Sequence, residues 1–220
     1  MPANRSQYVE PAVAEYSSDH STPSDALQSE LQAETEKSTG AFSGMQIGTD
    51  QANLMEMIAR AMGATRAIEI GTFTGFSALA IARGMGPRGR LLCCDVSEEW
   101  TQIARAYWER AGVSDRIELR IGPAIDTIRS LPADESFDFA FVDADKTSYP
   151  DYYEELIPRM RRGGLLLADN TLQSGRVADS AADDPSTIAI RTFNDRAASD
   201  SRVEVVLLPI GDGVSFVQKL

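Results

Sequence analysis

The chain has 220 residues, 43% of them hydrophobic and 25% charged, which suits one domain with a sizeable core. Its 33 acidic against 21 basic side chains give a net charge of −12 and a pI near 4.6. No basic stripe offsets that balance, so nucleic acid and anionic membrane are excluded as main partners. One histidine, His20, and two adjacent cysteines, Cys93 and Cys94, leave little for a Ser-His-Asp triad, a Cys-His pair or a zinc cluster.

The first twenty residues are polar, without an apolar signal core, and no run reaches the roughly 18–20 apolar residues of a membrane span, which points to the cytoplasm. Residues 1–22 read as a loose arm or a short docking helix. "PSDALQSELQAETEKS" opens on a start signal at Pro23 and Ser24, with Leu27 and Leu31 at helical spacing. "TGAFSGMQIGTD" is a Gly-rich loop. Thr49 or Asp50 then caps a helix through Leu54, Met55, Ile58 and Met62, stopped by Gly63.

From there strand and helix patterns alternate. "RAIEIG" (66–71) is a short strand and "GFSALAIARGM" a small-residue helix. "RLLCCDV" (90–96) is a second strand whose cysteines point to opposite faces as buried thiols, followed by the helix "EEWTQIARAYWERAG". "RIELRIG" (116–122) has period two, and "PAIDTIRSL" starts a helix with proline in its first turn. "FDFAFVD" (137–143) and "GLLLADN" (164–170) are apolar runs of the kind buried on both faces of a parallel sheet. Between them Tyr149, Tyr153, Leu156, Ile157 and Met160 share a helix face. A polar loop (173–185), a helix (185–199) and two strands around Gly211-Asp212-Gly213 end the chain. Trp100, Tyr107 and Trp108 read as helix packing and Asp212 as a turn residue.

Five strand–helix units and a terminal antiparallel pair describe a doubly wound α/β sheet with right-handed crossovers. In such sheets ligands bind beyond the carboxyl ends of the strands. Here those ends carry Gly71, Asp95, Asp143 and the pair Asp169-Asn170. The turn "EIGTFTGFS" (69–77) is not a dinucleotide fingerprint, because Phe73 fills the middle glycine position and Glu69 would repel a phosphate. Glu69 suits an ammonium instead, and Asp95, 24 residues after Gly71, suits ribose hydroxyls. An ammonium and a ribose without phosphate describe S-adenosylmethionine.

"MQIGTDQANLMEMIARAMGATRAIEIGTFTGFSALAIA", "VDADK" and "ADNTL" together resemble the cation-dependent O-methyltransferases, the family of plant caffeoyl-CoA O-methyltransferase and animal catechol O-methyltransferase. The resemblance runs from about Leu27 to the C-terminus. It implies a seven-stranded, mostly parallel, Rossmann-like methyltransferase sheet, S-adenosylmethionine, a divalent metal and a homodimer. It also implies an N-terminal cap (1–44) before a catalytic domain (45–220). Met45 and Ile47 match the segment over the methionine part of the cofactor. Glu69, Gly71, Thr72, Phe73, Ser77, Asp95 and Asp143 match cofactor contacts, and Ala124 falls in the adenine loop. Asp143, Asp169 and Asn170 match the metal ligands. This all-oxygen set suits Mg²⁺, with Mn²⁺ or Ca²⁺ able to substitute. Lys146 matches the general base, and a nearby dication would push it toward the neutral form a base needs. Asp145 reads as a group behind the metal ligands or on the cofactor side.

The expected reaction is methyl transfer to one hydroxyl of a catechol-type small molecule, with Asp143 and Lys146 in the catalytic centre. The alternatives are an NAD(P)-dependent oxidoreductase on a similar sheet and a non-catalytic cofactor-binding protein. Gln173 and Ser174 stand after "DNTL" where plant caffeoyl-CoA enzymes carry Trp-Asn, which counts against a caffeoyl-CoA acceptor.

Overall fold

A computed structural model describes residues 8–134 and 136–220. Seven strands form one sheet in the order β3-β2-β1-β4-β5-β7-β6. They are β1 (Arg66–Ile70), β2 (Arg90–Asp95), β3 (Ile117–Ile121), β4 (Phe137–Val142), β5 (Met160–Asp169), β6 (Val203–Leu208) and β7 (Val214–Lys219). The first five pair in parallel, and β7 inserts antiparallel between β5 and β6. A doubly wound, mostly parallel sheet with a terminal antiparallel pair is therefore the architecture.

Helices cover both faces. The helices α2 (Ala26–Thr39), α3 (Thr49–Ala61), α4 (Phe76–Met85) and α5 (Glu98–Arg110) share one core, built on Leu31, Met55, Leu79 and Trp108. On the other face α6 (Ala124–Ser130), α7 (Tyr149–Arg159) and α8 (Pro185–Ser199) pack Ile128, Tyr153, Leu156 and Phe193 onto the sheet. The period-two rule sorts the central strands cleanly. Ala67 and Cys93 belong to the first core, and Ile68, Ile70 and Cys94 to the second. Both cysteines are buried free thiols.

Several boundaries differ from the sequence expectation for local reasons. The N-terminal stretch is partly helical, with α1 at Pro11–Asp19, but no side chain of it is buried; residues 1–7 lie outside the described residues. α2 takes Asp25, the residue after Ser24, as its N-cap. Asp25 accepts from the Gln28 amide and Gln28 returns the bond, a reciprocal box worth about 1 kcal/mol. Residues Gly40–Met45 form a 3₁₀ turn rather than an irregular loop. Gly48, not Thr49 or Asp50, occupies the N-cap of α3, and Pro123 is the N-cap of α6 rather than its first residue. Met160 leaves the α7 face to open β5, since its backbone is extended. α8 spans the expected residues, capped by Asp184 accepting from the Thr187 amide at 3.1 Å.

Candidate active site

The carboxyl ends of β1, β2, β4 and β5 open on a cavity of about 590 Å³. Two features of β1's turn make the rim close-packed. Gly71 has φ +88°, and a Cβ there would lie 1.9 Å from the Asp143 carbonyl oxygen. Only glycine lets the ends of β1 and β4 meet so closely. Gly75, at φ +82°, is held by the Trp108 indole, which donates to its carbonyl at 3.1 Å, and a Cβ there would lie 2.6 Å from that of Ala104. Trp108 therefore packs and also fixes the turn.

Phe73 adopts φ 52°, a left-handed conformation that costs a bulky residue on the order of 1 kcal/mol or more. Asp95 holds it there. Its Oδ2 accepts from the Thr72 amide at 2.8 Å and the Phe73 amide at 2.7 Å, while Oδ1 accepts from the Ser97 amide at 2.7 Å. The carboxylate at the end of β2 thus organises the turn after β1. The Phe73 ring meets Trp100 edge-on, centroids 5.0 Å apart, and Trp100 meets Phe42 at 5.5 Å. Trp100, expected to be simple packing, lines the cavity with Phe73.

Of the sequence-derived residues, Met45, Ile47, Gly71, Thr72, Phe73, Ser77, Asp95 and Ala124 all line this cavity, as do Asp143, Lys146, Asp169 and Asn170. Glu69 does not. It is fully buried in β1, beside Ser77, Cys93 and Thr72, with Oε1 lacking a hydrogen-bond partner. Burial raises its pKa to about 8, even though the neighbouring Ser77, Cys93 and Thr72 side chains pull it down. The Thr72 side chain is likewise buried, between Glu69 and the cavity.

At the β4–β5 end the charges crowd. Lys146, in a 3₁₀ turn (Lys146–Ser148) between β4 and α7, donates to Asp143 Oδ1 at 2.8 Å and to the Tyr149 hydroxyl at 2.9 Å. Burial alone would lower the Lys146 pKa, but the Asp143 charge and Tyr149 hold it well above the usual lysine value. In this arrangement Lys146 is an ammonium. The Tyr149 hydroxyl also lies 3.1 Å from the Val142 carbonyl and 3.0 Å from that of Asp169, so one side chain ties the ends of β4 and β5 to Lys146. Asp169 is buried, and burial together with the Asp143 charge raises its pKa. Asn170 follows at φ 56°, a conformation that asparagine tolerates, and its amide donates to Asp169 Oδ1 at 2.7 Å.

Among the described residues no group of three or more His, Cys, Asp and Glu gathers as a metal cluster. The candidate set is two carboxylates and an amide. Two like-charged carboxylates at a buried rim, one with its pKa raised by the other, fit a hard dication that would relieve their repulsion and draw its other oxygens from water or substrate.

Sequence reasoning missed four residues here. Tyr149 was expected to be plain helix packing, and Trp100 likewise. Asp212 lines the cavity from the β6–β7 turn, accepting from the Ser174 amide at 2.6 Å and the Tyr8 hydroxyl at 3.1 Å. Gln51, buried in α3, lines it too, with its side-chain amide set against the Asp169 carboxylate. Asp145 is exposed at the start of the Lys146–Ser148 turn, accepting from the Ser148 hydroxyl and, at 2.7 Å, from the Tyr152 hydroxyl.

Residues 15–220 match the family model described as O-methyltransferase. The chain belongs to the O-methyltransferase family. A probable caffeoyl-CoA O-methyltransferase of Dictyostelium discoideum is 39% identical over 213 residues, 95% of this chain and 92% of that protein. Tricin synthase 1 of Oryza sativa subsp. japonica is 38% identical over 204 residues, 87% of this chain and 80% of that one. The crystal structure of an O-methyltransferase from Bacillus cereus in complex with S-adenosylhomocysteine superimposes with a TM-score of 0.87 at 31% identity, covering 95% of this chain and 97% of that one. As a member of this family the protein is an O-methyltransferase, and the oxidoreductase alternative falls away. Among the described residues no helix is long and apolar enough to cross a membrane.

Proposed function

We propose that this O-methyltransferase moves the methyl group of S-adenosylmethionine to one hydroxyl of a catechol-type small molecule, with a divalent cation, Mg²⁺ foremost, at the β4–β5 rim. The observation that carries the reading is the convergence of two chemistries in one cavity. The Gly71–Ser77 turn and Asp95 form one end, and Asp143, Lys146, Asp169 and Asn170 form the other. The Bacillus cereus neighbour holding S-adenosylhomocysteine supports the cofactor.

In this reading Asp95 keeps a free lone pair for ribose hydroxyls after organising the turn. Ala124 flanks the adenine, and Met45 and Ile47 cover the methionine end. Glu69 lies behind Thr72 and Ser77 rather than on the wall, so its contribution is an ionisable carboxyl close to where the cofactor's ammonium arrives. A cation bound by Asp143, Asp169 and Asn170 would chelate the vicinal hydroxyls and lower the pKa of one of them.

The chain's own groups supply the rest. The cavity holds the acceptor oxygen in line with the sulfonium methyl, which turns an encounter into an intramolecular displacement. Lys146 is the base for the acceptor hydroxyl at Nζ. Its proton is held by the Asp143 charge and by Tyr149; were Asp143 committed to a cation, that hold would weaken and burial would draw the Lys146 pKa down toward the neutral form. Tyr149 keeps Nζ aimed at the rim throughout. The proposal includes a homodimer, supported by the exposed apolar row Val206, Leu207 and Leu208 on the edge strand β6. Size-exclusion chromatography with light scattering tests that part.

The decisive assay presents catechol-bearing acceptors with S-adenosylmethionine and Mg²⁺, and locates the transferred methyl by NMR. Mono-O-methylated product that disappears in EDTA and returns with Mg²⁺ is the expected result. Full turnover in EDTA would remove the metal from the account.

A further inference from the structure

We propose that Asp212, in the turn between β6 and β7, is a positioning residue for the cation: it holds the chain after β5 in a left-handed conformation that sets Asn170 at the rim, and so raises the site's affinity for a divalent metal. The inference rests on the metal-dependent reading above and adds to it a residue that acts through another.

Among the described residues four other than glycine have a positive φ. One is Phe73, at the cofactor end of the cavity. The other three, Asn170 (φ 56°), Gln173 (φ 47°) and Ser174 (φ 52°), fall within five residues just past β5. Such backbone costs on the order of 1 kcal/mol or more per residue and persists only where the surroundings impose it. Phe73 is held by Asp95, which accepts its amide at 2.7 Å. Ser174 has the same arrangement at the opposite end, where its amide donates to Asp212 Oδ1 at 2.6 Å. In both places a carboxylate from a separate element accepts the amide of a left-handed residue beside the cavity.

The register of the sheet puts Asp212 there. Asp169 pairs with Val214 in the antiparallel ladder of β5 and β7. The residues after Asp169 therefore run alongside those before Val214, and the ladder continues beyond both strands. The Thr171 amide donates to the Gly213 carbonyl and the Leu172 amide to the Asp212 carbonyl, each at 3.0 Å. The two segments lie so close that a Cβ on Gly213 would meet Leu172 Cγ at 2.5 Å. Gln173, next to Ser174, leads back to Asn170. Its amide donates to the Asn170 carbonyl at 3.3 Å and its side-chain Nε2 to the same oxygen at 2.9 Å.

The same turn also backs the other candidate ligand of β5. A Cβ on Gly211 would lie 3.3 Å from Gln51 Oε1, and the Gln51 side chain bonds the Asp169 carboxylate. Three residues, Gly211 to Gly213, thus brace Asp169 from one side and the segment behind Asn170 from the other. Asp212 Oδ1 accepts from the Tyr8 hydroxyl as well, at 3.1 Å. That oxygen is committed to protein donors, as befits a residue that holds backbone and does not itself ligate. Partners of this kind, one step behind the ligands, fix ligand orientation and with it metal affinity.

Mn²⁺ titration of the full-length protein, followed by electron paramagnetic resonance, tests this without turnover. Asp212→Ala removes the acceptor and raises the Mn²⁺ dissociation constant by about ten- to hundredfold. Asp212→Asn keeps an acceptor oxygen for the Ser174 amide and stays within about threefold of the wild type. Ser174→Pro breaks the same bond from the other side, since proline has no amide hydrogen and cannot take φ 52°. It gives the same loss and carries the test alone should Asp212→Ala fail to fold. Ser174→Gly keeps the amide and accepts a positive φ, so its constant also stays within about threefold. Wild-type affinity in Asp212→Ala or in Ser174→Pro overturns the proposal, even where the melting temperature falls. An Asp212→Asn as weak as Asp212→Ala overturns it too, because Asp212 would then act by its charge. No Mn²⁺ binding by the wild type would remove the metal reading itself, and this inference with it.

Discussion

At its N-terminal end β4 carries Asp138, which accepts from the Thr65 amide at 2.6 Å, the Arg66 amide at 2.8 Å and the Thr65 hydroxyl at 3.0 Å, and pairs with Arg161. At its other end the next residue is Asp143, whose carboxylate accepts from Lys146 and whose neighbour Asp169 is buried against it. Burial would raise the pKa of Asp138, but the Thr65 amide, Arg161 and the Arg66 amide together hold it below the usual carboxylate value. Asp169 is raised by burial and by Asp143. The same residue type on one sheet is thus satisfied at one edge and strained at the other. A satisfied carboxylate stabilises a fold. A pair that repels in a cavity stores the affinity for a cation or a ligand.

The largest effect expected from this contrast is at the strained edge. Asp169→Ala lowers kcat/KM for methyl transfer by about a thousandfold or more, because the variant loses charge stabilisation worth several kcal/mol, while the protein stays folded by circular dichroism. Lys146→Met comes next, with a loss of about a hundred- to ten-thousandfold in kcat and the loss of the rate's dependence on a basic group in the pH profile. Asp138→Ala does the opposite. It lowers unfolding free energy by about 2 kcal/mol in urea titrations, since four donors lose their acceptor, and leaves turnover per folded molecule unchanged. An Asp138 variant that loses turnover without losing stability would break the distinction between the two edges.

Glu69 gives an effect of a different kind, read in pH dependence and not in turnover. Its folded pKa of about 8 lies above its ordinary value of 4.5. Stability from such a group is fully present below the lower value and is lost as the pH rises through the upper one. Wild type therefore loses stability between about pH 4.5 and pH 8 relative to Glu69→Gln, whose neutral amide does not titrate. Melting curves of both proteins across that window check the sign. Parallel curves would mean that Glu69 is ionised in the folded protein.

Much of this was legible in the sequence because strand ends are legible. Apolar runs closing on Asp95, Asp143 and Asp169-Asn170 specify both the sheet and which residues share its rim, since parallel strands align their carboxyl ends. Strand order was not, because nothing local tells β7 to insert between β5 and β6. The residues missed share one property, in that their roles depend on tertiary placement. Tyr149 sits at helical spacing like any packing tyrosine, yet its hydroxyl reaches two strand ends. Trp100 gives the same periodic signal as Trp108, but one lines the cavity and the other is buried behind Gly75. Asp212 between two glycines has the composition of a turn, and only the fold brings that turn to the cavity. Glu69, two residues before Gly71, is buried in β1 beside Thr72 and Ser77, one layer behind the cavity wall.

The central claim is that the strained edge holds a divalent cation, and Mn²⁺ binding followed by electron paramagnetic resonance tests it without any turnover. The account predicts one saturable Mn²⁺ site in the wild-type protein, displaced by Mg²⁺, weakened at least tenfold in Asp143→Ala and in Asp169→Ala, and unchanged in Asp138→Ala. Equal Mn²⁺ binding by all four proteins, or none by the wild type, would contradict it.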